Sequence, residues 1–151
     1  MQHFTEKDIP NIASLIIGKI TDGFSLPEKA TIVAFSGELG TGKTTLIKEI
    51  AKQFGVLETV TSPTFTIMKF YEVKPKLNQK FNFKKLIHID AYRLKSSNDL
   101  LKLGWSDIST DPKNIIFLEW PECVGELVKD PSFKITLTHK DESTRIIKIN
   151  T

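Results

Sequence analysis

Ile9, Ile12, Ala13, Ile16, Ile17 and Ile20 recur at three- and four-residue spacing, which predicts an amphipathic helix early in the chain. Thr5 with Asp8 three residues later resembles a capping box for it, and Pro10 falls early enough to blur the helix start. Gly23 and Pro27 then break the chain. "ATIVAFSG" is short, β-branched and ended by glycine, the pattern of a buried strand. Leu46, Ile47, Ile50, Ala51 and Phe54 form one face of a second helix that stops near Gly55. "TVTSPTFTIMKFYEV" reads as a loop followed by a strand, and "KLIHIDAYRL" as a strand ending near Asp90. "SSNDLLKLGW" predicts a short helix capped by Ser97 or Asn98. "NIIFLEW" is another apolar strand, and "PECVGELV" a helix with Pro121 in its first turn. "FKITLTHKDESTRIIKIN" reads as two β-rich runs around the polar turn "HKDES". Strands alternating with helices predict a three-layer α/β fold with a mostly parallel central sheet and an antiparallel C-terminal hairpin.

The length of 151 residues suits one domain, 1–151. A net charge of +3 is too weak to argue nucleic-acid binding by itself. The single cysteine, Cys123, excludes an internal disulfide and a CxxC metal site, and reads as an inert thiol in a reducing compartment. The first residues carry acids and a proline before their apolar part, unlike a signal peptide, and no apolar run approaches the roughly 18 residues of a membrane span. The expectation is a soluble cytoplasmic protein with no membrane partner.

Chemistry enters at "FSGELGTGKTTLIKEI". Gly37, Gly42, Lys43 and Thr44 satisfy G-x-x-x-x-G-K-[ST], between a predicted strand and a predicted helix. Glycines let the backbone approach a phosphate closely, and successive N–H groups then point at its oxygens. The helix that follows offers its unpaired N–H groups and positive end to the same anion. Lys43 is expected to reach the β- and γ-phosphates, and the Thr44 hydroxyl to bind Mg2+. A dinucleotide fingerprint has no use for the G-K-T ending. The fold expectation narrows to that of a P-loop NTPase.

Mg2+ on a nucleotide keeps several waters and takes one or two carboxylates. Asp90 and Glu119 end apolar strands, where such carboxylates belong, although an acid there also serves simply to cap the next turn. Asp90 holds the ion directly or through water; Glu119 binds it or orients the attacking water. The residues alone do not divide these tasks.

Other features have plainer readings beside functional ones. In "TSPTF", Pro63 rigidifies a turn while Ser62 and Thr64 bond locally, or the loop meets a γ-phosphate and releases it after hydrolysis. Trp105 and Trp120 read most simply as packing residues; the alternative for Trp120, next to Glu119, is a place beside the nucleotide. His88 alternates with Ile87 and Ile89, so it faces away from them, and it reads as a hydrogen-bonded structural histidine before a catalytic one. Arg93 either pairs with an acid on the sheet rim or serves a partner or phosphate. The stretch from Lys74 to Lys85 has five lysines and no acid. It reads as a solvated loop or an electrostatic contact to tRNA or an acidic partner, with Phe81 and Phe83 adding weight to a contact surface.

"GELGTGKTT", "SPTFTI", "HIDAYRL" and "LEWPE", in this order, closely resemble the TsaE family, small bacterial P-loop ATPases of tRNA threonylcarbamoyladenosine biosynthesis. The resemblance covers nearly the whole chain, through the terminal "TRIIKI". It implies that Gly37, Glu38, Leu39, Gly40, Thr41, Gly42, Lys43, Thr44 and Thr45 form the nucleotide loop, with Thr44 on Mg2+. It implies that Asp90 and Glu119 complete the metal site, that Arg145 lies by the nucleotide, and that Ser62, Pro63 and Thr64 form a loop responsive to the γ-phosphate. Lys43, Asp90 and Glu119 would then carry the catalysis. ATP and Mg2+ are the implied cofactors, and TsaB and TsaD the implied partners, with TsaD transferring the threonylcarbamoyl group to tRNA. The longer Lys-rich insert after Tyr71, and Ala91 where a larger apolar residue is common, depart from the pattern.

Two other functions fit a phosphate clamp. A small-molecule kinase needs an arginine-bearing lid, and this chain has only Arg93 and Arg145. A binding switch with negligible chemistry needs only a loop ordered by nucleotide. No NKxD guanine reader is present, which favours adenine.

Overall fold

The computed structural model describes residues 1–22, 27–74 and 81–151. The predicted break at Gly23 and the middle of the Lys-rich insert lie outside the described residues. The elements are β1 (Gln2–Phe4), a 3-10 turn (Glu6–Asp8), α1 (Ile9–Thr21), β2 (Thr31–Ser36), α2 (Lys43–Phe54), β3 (Met68–Glu72), β4 (Lys85–Asp90), α3 (Ser97–Lys102), α4 (Trp105–Thr110), β5 (Asn114–Glu119), a second 3-10 turn (Pro121–Val124), β6 (Phe133–His139) and β7 (Arg145–Asn150).

The described strands form one sheet in the order β1-β7-β6-β2-β5-β4-β3. The inner four, β6-β2-β5-β4, are parallel. The edges are antiparallel: β7 and β1 on one side, β3 on the other. The expected C-terminal hairpin is β6–β7. The expected mostly parallel sheet is parallel only at its centre. Consecutive strands become parallel only through a crossover, usually a helix, and the sequence offers no helical period between β3 and β4.

Alternation along the strands sorts side chains into two cores. Val33, Phe35, Leu86, Ile115, Phe117, Ile135 and Leu137 face α1 and α2. Ile87, Ile89, Ile116 and Leu118 face Leu100 of α3, Trp105 of α4 and Val124. These are the two outer layers of a three-layer fold. Asp90 and Glu119 continue the α2-facing register past the apolar residues, and they are cross-strand partners at the ends of β4 and β5.

Several local expectations are corrected. The Asp8 carboxylate accepts from both the Thr5 amide and hydroxyl at 2.8 Å, as a capping pair should, but it closes a 3-10 turn before α1. The α3 cap is Ser96, because Asp99 reaches back to the Ser96 and Lys95 amides. The predicted short helix is α3, while α4, which starts after Gly104 at φ 90°, was not expected. "PECVGELV" forms only a 3-10 turn. Phe81 and Phe83 are buried, with ring centroids 4.8 and 6.1 Å from Phe54, so they belong to the core and not to a contact surface.

Gly55 ends α2 at φ 98°, and a Cβ there would stand 2.1 Å from the Lys74 carbonyl oxygen. Lys74 N–H donates to the Gly55 carbonyl at 3.1 Å, so this close approach ties the helix end to the chain after β3. Gly55→Ala is expected to cost about 2 kcal/mol or more of stability. A urea unfolding midpoint equal to the parent's would refute the close-approach argument.

Candidate functional site

The loop from Gly37 to Gly42 joins β2 to α2. Gly37 adopts φ 146°, and a Cβ on it would lie 2.3 Å from the Leu137 carbonyl oxygen, so only glycine lets the loop sit against β6. Thr41 closes the loop by donating its hydroxyl to the Glu38 carbonyl at 2.9 Å. The Leu39 side chain points outward and is 78% exposed.

Lys43 is almost wholly buried. Its ammonium donates to the Gly37 and Glu38 carbonyls at 2.7 and 2.9 Å, and lies 4.2 Å from the centre of the Trp120 ring. Burial pushes this ammonium below the ordinary lysine range; the carboxylates of Glu119, Asp90 and Glu122 pull the other way. Trp120 therefore packs under the clamp lysine. Its own backbone is left-handed, φ 58°, immediately after Glu119. Ile67 is also left-handed, φ 66°, and its carbonyl accepts from the Asp90 amide. Strained residues thus flank both acids, a signal no sequence pattern carried.

The first residue after the lysine meets the first acid. Thr44 donates its hydroxyl to Glu119 at 2.8 Å (Oε1) and 3.1 Å (Oε2). His88, fully buried, contacts Glu119 Oε1 through Nε2 at 2.8 Å. Asp90 accepts from the Tyr92 amide at 3.0 Å and from the Thr64 hydroxyl at 3.0 Å. Thr64 shares a 2.6 Å hydrogen bond with Ser62. The local bonding expected of "TSPTF" is present, and the same loop is tied to the acid across from Glu119. Arg93 stacks on the ring of Phe65, 4.7 Å from its centre, and pairs with no acid among the described residues. Burial, then Glu122 and Asp90, push the Cys123 thiol up, in keeping with an inert cysteine.

Arg145 comes from the far end of the chain. Asp141 folds the β6–β7 turn by accepting from the Ser143 and Thr144 amides, which hold its carboxyl below the usual carboxylate range. Arg145 then donates from Nη1 to the carbonyls of Asp141, Glu142 and Thr144. It lines a cleft of about 810 Å3 whose walls include Phe4, Thr5, Gly40, Gly42 and Thr45. The structure therefore brings Arg145 beside the loop. The cleft's other wall, from β1 and the first turn, was missed because a three-residue strand shows no periodicity.

The oxygen donors Thr44, Asp90 and Glu119 suit a hard ion such as Mg2+. Among the described residues no cluster of three or more His, Cys, Asp or Glu could cage a metal unaided. No helix among the described residues is long and apolar enough to cross a membrane.

Residues 7–147 match the family model described as threonylcarbamoyl adenosine biosynthesis protein TsaE. A relative in Rickettsia typhi, named tRNA threonylcarbamoyladenosine biosynthesis protein TsaE, is 30% identical over 96% of this chain and 90% of its own. A protein of the same name in Rickettsia prowazekii is 33% identical over 79% of this chain and 76% of its own. The crystal structure of YdiB from Bacillus subtilis superposes with a TM-score of 0.59 at 22% identity, covering 98% of this chain and 82% of that one. That likeness is one of fold, and the fold is that of a P-loop NTPase. With a family model spanning nearly the whole chain and the phosphate loop on the page, the chain belongs to the TsaE family.

Proposed function

We propose that the chain, acting as one domain, is an ATP-binding, Mg2+-dependent ATPase of tRNA threonylcarbamoyladenosine biosynthesis. It works in the cytoplasm with TsaD and TsaB and meets tRNA through that assembly. The observation that carries this reading is the convergence of Lys43, Thr44 and Glu119 at the start of α2. The Lys43 ammonium donates to the Gly37 and Glu38 carbonyls, a position from which it can turn to the β- and γ-phosphates. The loop amides hold the phosphates. Thr44, Glu119 and Asp90 would hold Mg2+, which when bound neutralises charge on the β- and γ-oxygens. Glu119 is the carboxylate that bonds the Thr44 hydroxyl. Asp90 links it to Ser62, Pro63 and Thr64, so loss of the γ-phosphate would be felt in that loop.

The cleft beside Gly40–Gly42 offers room for the nucleoside, with Arg145 as its cation. Arg145→Ala is expected to weaken ATP and ADP binding about tenfold, the worth of one charge-assisted hydrogen bond. Titration with a fluorescent ADP analogue checks this; unchanged affinity would remove Arg145 from the site.

The decisive experiment is ATP hydrolysis by the purified chain with and without TsaB, TsaD and tRNA, scored beside adenosine modification. Slow turnover alone and faster turnover in the assembly are expected. Full-speed turnover that ignores the partners would end the coupling idea. A second reading, a nucleotide-dependent binding switch, is favoured by one observation, the Thr64–Asp90 bond between loop and acid.

A further inference from the structure

We infer that His88 is a positioning residue for Glu119, an inference that rests on the ATPase reading. His88 sits on the α2-facing side of β4 between Leu86 and Asp90, with Phe117 of β5 on one side and Lys69 of β3 on the other. An imidazole there is 0% exposed, and its Nδ1 has no hydrogen-bond partner among the described residues. Burying a polar ring with one nitrogen unmet costs stability, and an aliphatic side chain would fill the space without that cost. Among the described residues the compensation is one side-chain bond. A carboxylate only accepts, so His88 donates from Nε2 to Glu119 Oε1 at 2.8 Å.

Glu119 is itself 2% exposed, and its orientation is set by what donates to it. Thr44 alone reaches both oxygens, at 2.8 and 3.1 Å, so one hydroxyl does not fix the plane of the carboxylate. His88 adds a second donor on Oε1. Oε1 is then held from two sides, and Oε2, with only the longer contact, is left as the oxygen to meet the ion or its water. Partners of this kind, behind the groups that hold a metal, typically govern metal affinity or activity by about 10- to 100-fold.

The test uses His88→Leu, which fills the space without a donor, and His88→Gln, whose amide nitrogen reaches about as far as Nε2. Thermal midpoint, ADP affinity with and without Mg2+, and kcat for ATP are measured for each. Expected for His88→Leu are a midpoint at or above the parent's, unchanged metal-free ADP affinity, an apparent Mg2+ affinity about 10- to 100-fold weaker, and kcat lower by a similar factor. His88→Gln should recover most of both losses. Parental Mg2+ dependence and kcat in His88→Leu would overturn the inference. So would equal damage in both variants together with lost metal-free ADP binding, which would mark His88 as part of the packing only. If the parent fails to hydrolyse ATP even with its partners, the ATPase reading falls, while the Mg2+ dependence of ADP binding still decides for or against His88. A parent indifferent to Mg2+ would overturn the inference as well.

Discussion

Lys43→Ala should lower ATP turnover by about a thousandfold or more and weaken nucleotide binding, while leaving the fold intact. The ammonium is the cation that the loop wraps: two carbonyl bonds and the Trp120 ring hold it within a slot that is only 4% exposed. Removing a single neutral donor to a developing charge costs about 10^2- to 10^3-fold, and a buried cation aimed at two phosphates carries more. The fold should tolerate the loss for two reasons. Burial disfavours the charged lysine, so its removal relieves a cost. The Glu38 carbonyl also keeps the Thr41 hydroxyl as a donor, so the loop retains a closure of its own. The expected thermal midpoint is within a few degrees of the parent's. Lys43→Arg should not rescue turnover, since a planar guanidinium does not fit the slot of a point charge. Parental turnover in Lys43→Ala would remove the clamp assignment altogether.

The contrast between Lys43 and His88 explains what could be read from the chain and what could not. The clamp was legible because its parts are contiguous: eight residues whose spacing encodes the turn, the close approach and the helix start. Asp90 and Glu119 were legible as acids ending apolar runs, since a strand's period places its last side chains on a known face. Their mutual pairing was not, because cross-strand neighbours depend on register, which comes from the tertiary fold. His88 was correctly seen to face away from Ile87 and Ile89, yet its partner lies 31 residues on in another strand. The antiparallel β6–β7 hairpin was legible from its polar turn, but the antiparallel edge at β3 was missed for the same reason, and β1 because three residues carry no period. Phe81 and Phe83 were misread because the lysines around them set the character of the segment, while Phe54, which buries them, is distant in sequence. The strain at Ile67 and Trp120 left no mark in the sequence at all: neither is a residue that prefers a left-handed backbone.

Glu119→Gln is expected to cut turnover by about 10^2- to 10^3-fold with ATP still bound. The substitution keeps the size of the side chain and removes its charge. The amide oxygen can still accept from Thr44 and His88 only where Oε1 now stands, which turns the NH2 group to the position of Oε2. A donor then faces the place where the ion or attacking water needs an acceptor. Stability should hold or rise, because a carboxylate that is 2% exposed no longer has to be kept charged. Asp90→Asn differs: its oxygen can keep the Tyr92 amide while its NH2 meets the Thr64 hydroxyl, which can also accept. That variant should keep the loop in place and lose turnover through the metal site alone. Both variants belong in the assembly with TsaB, TsaD and tRNA. If assembly survives and adenosine modification stops in Glu119→Gln, hydrolysis is the step that matters. If modification continues in Glu119→Gln while its turnover is gone, nucleotide binding suffices, and the binding switch replaces the ATPase as the function of the site.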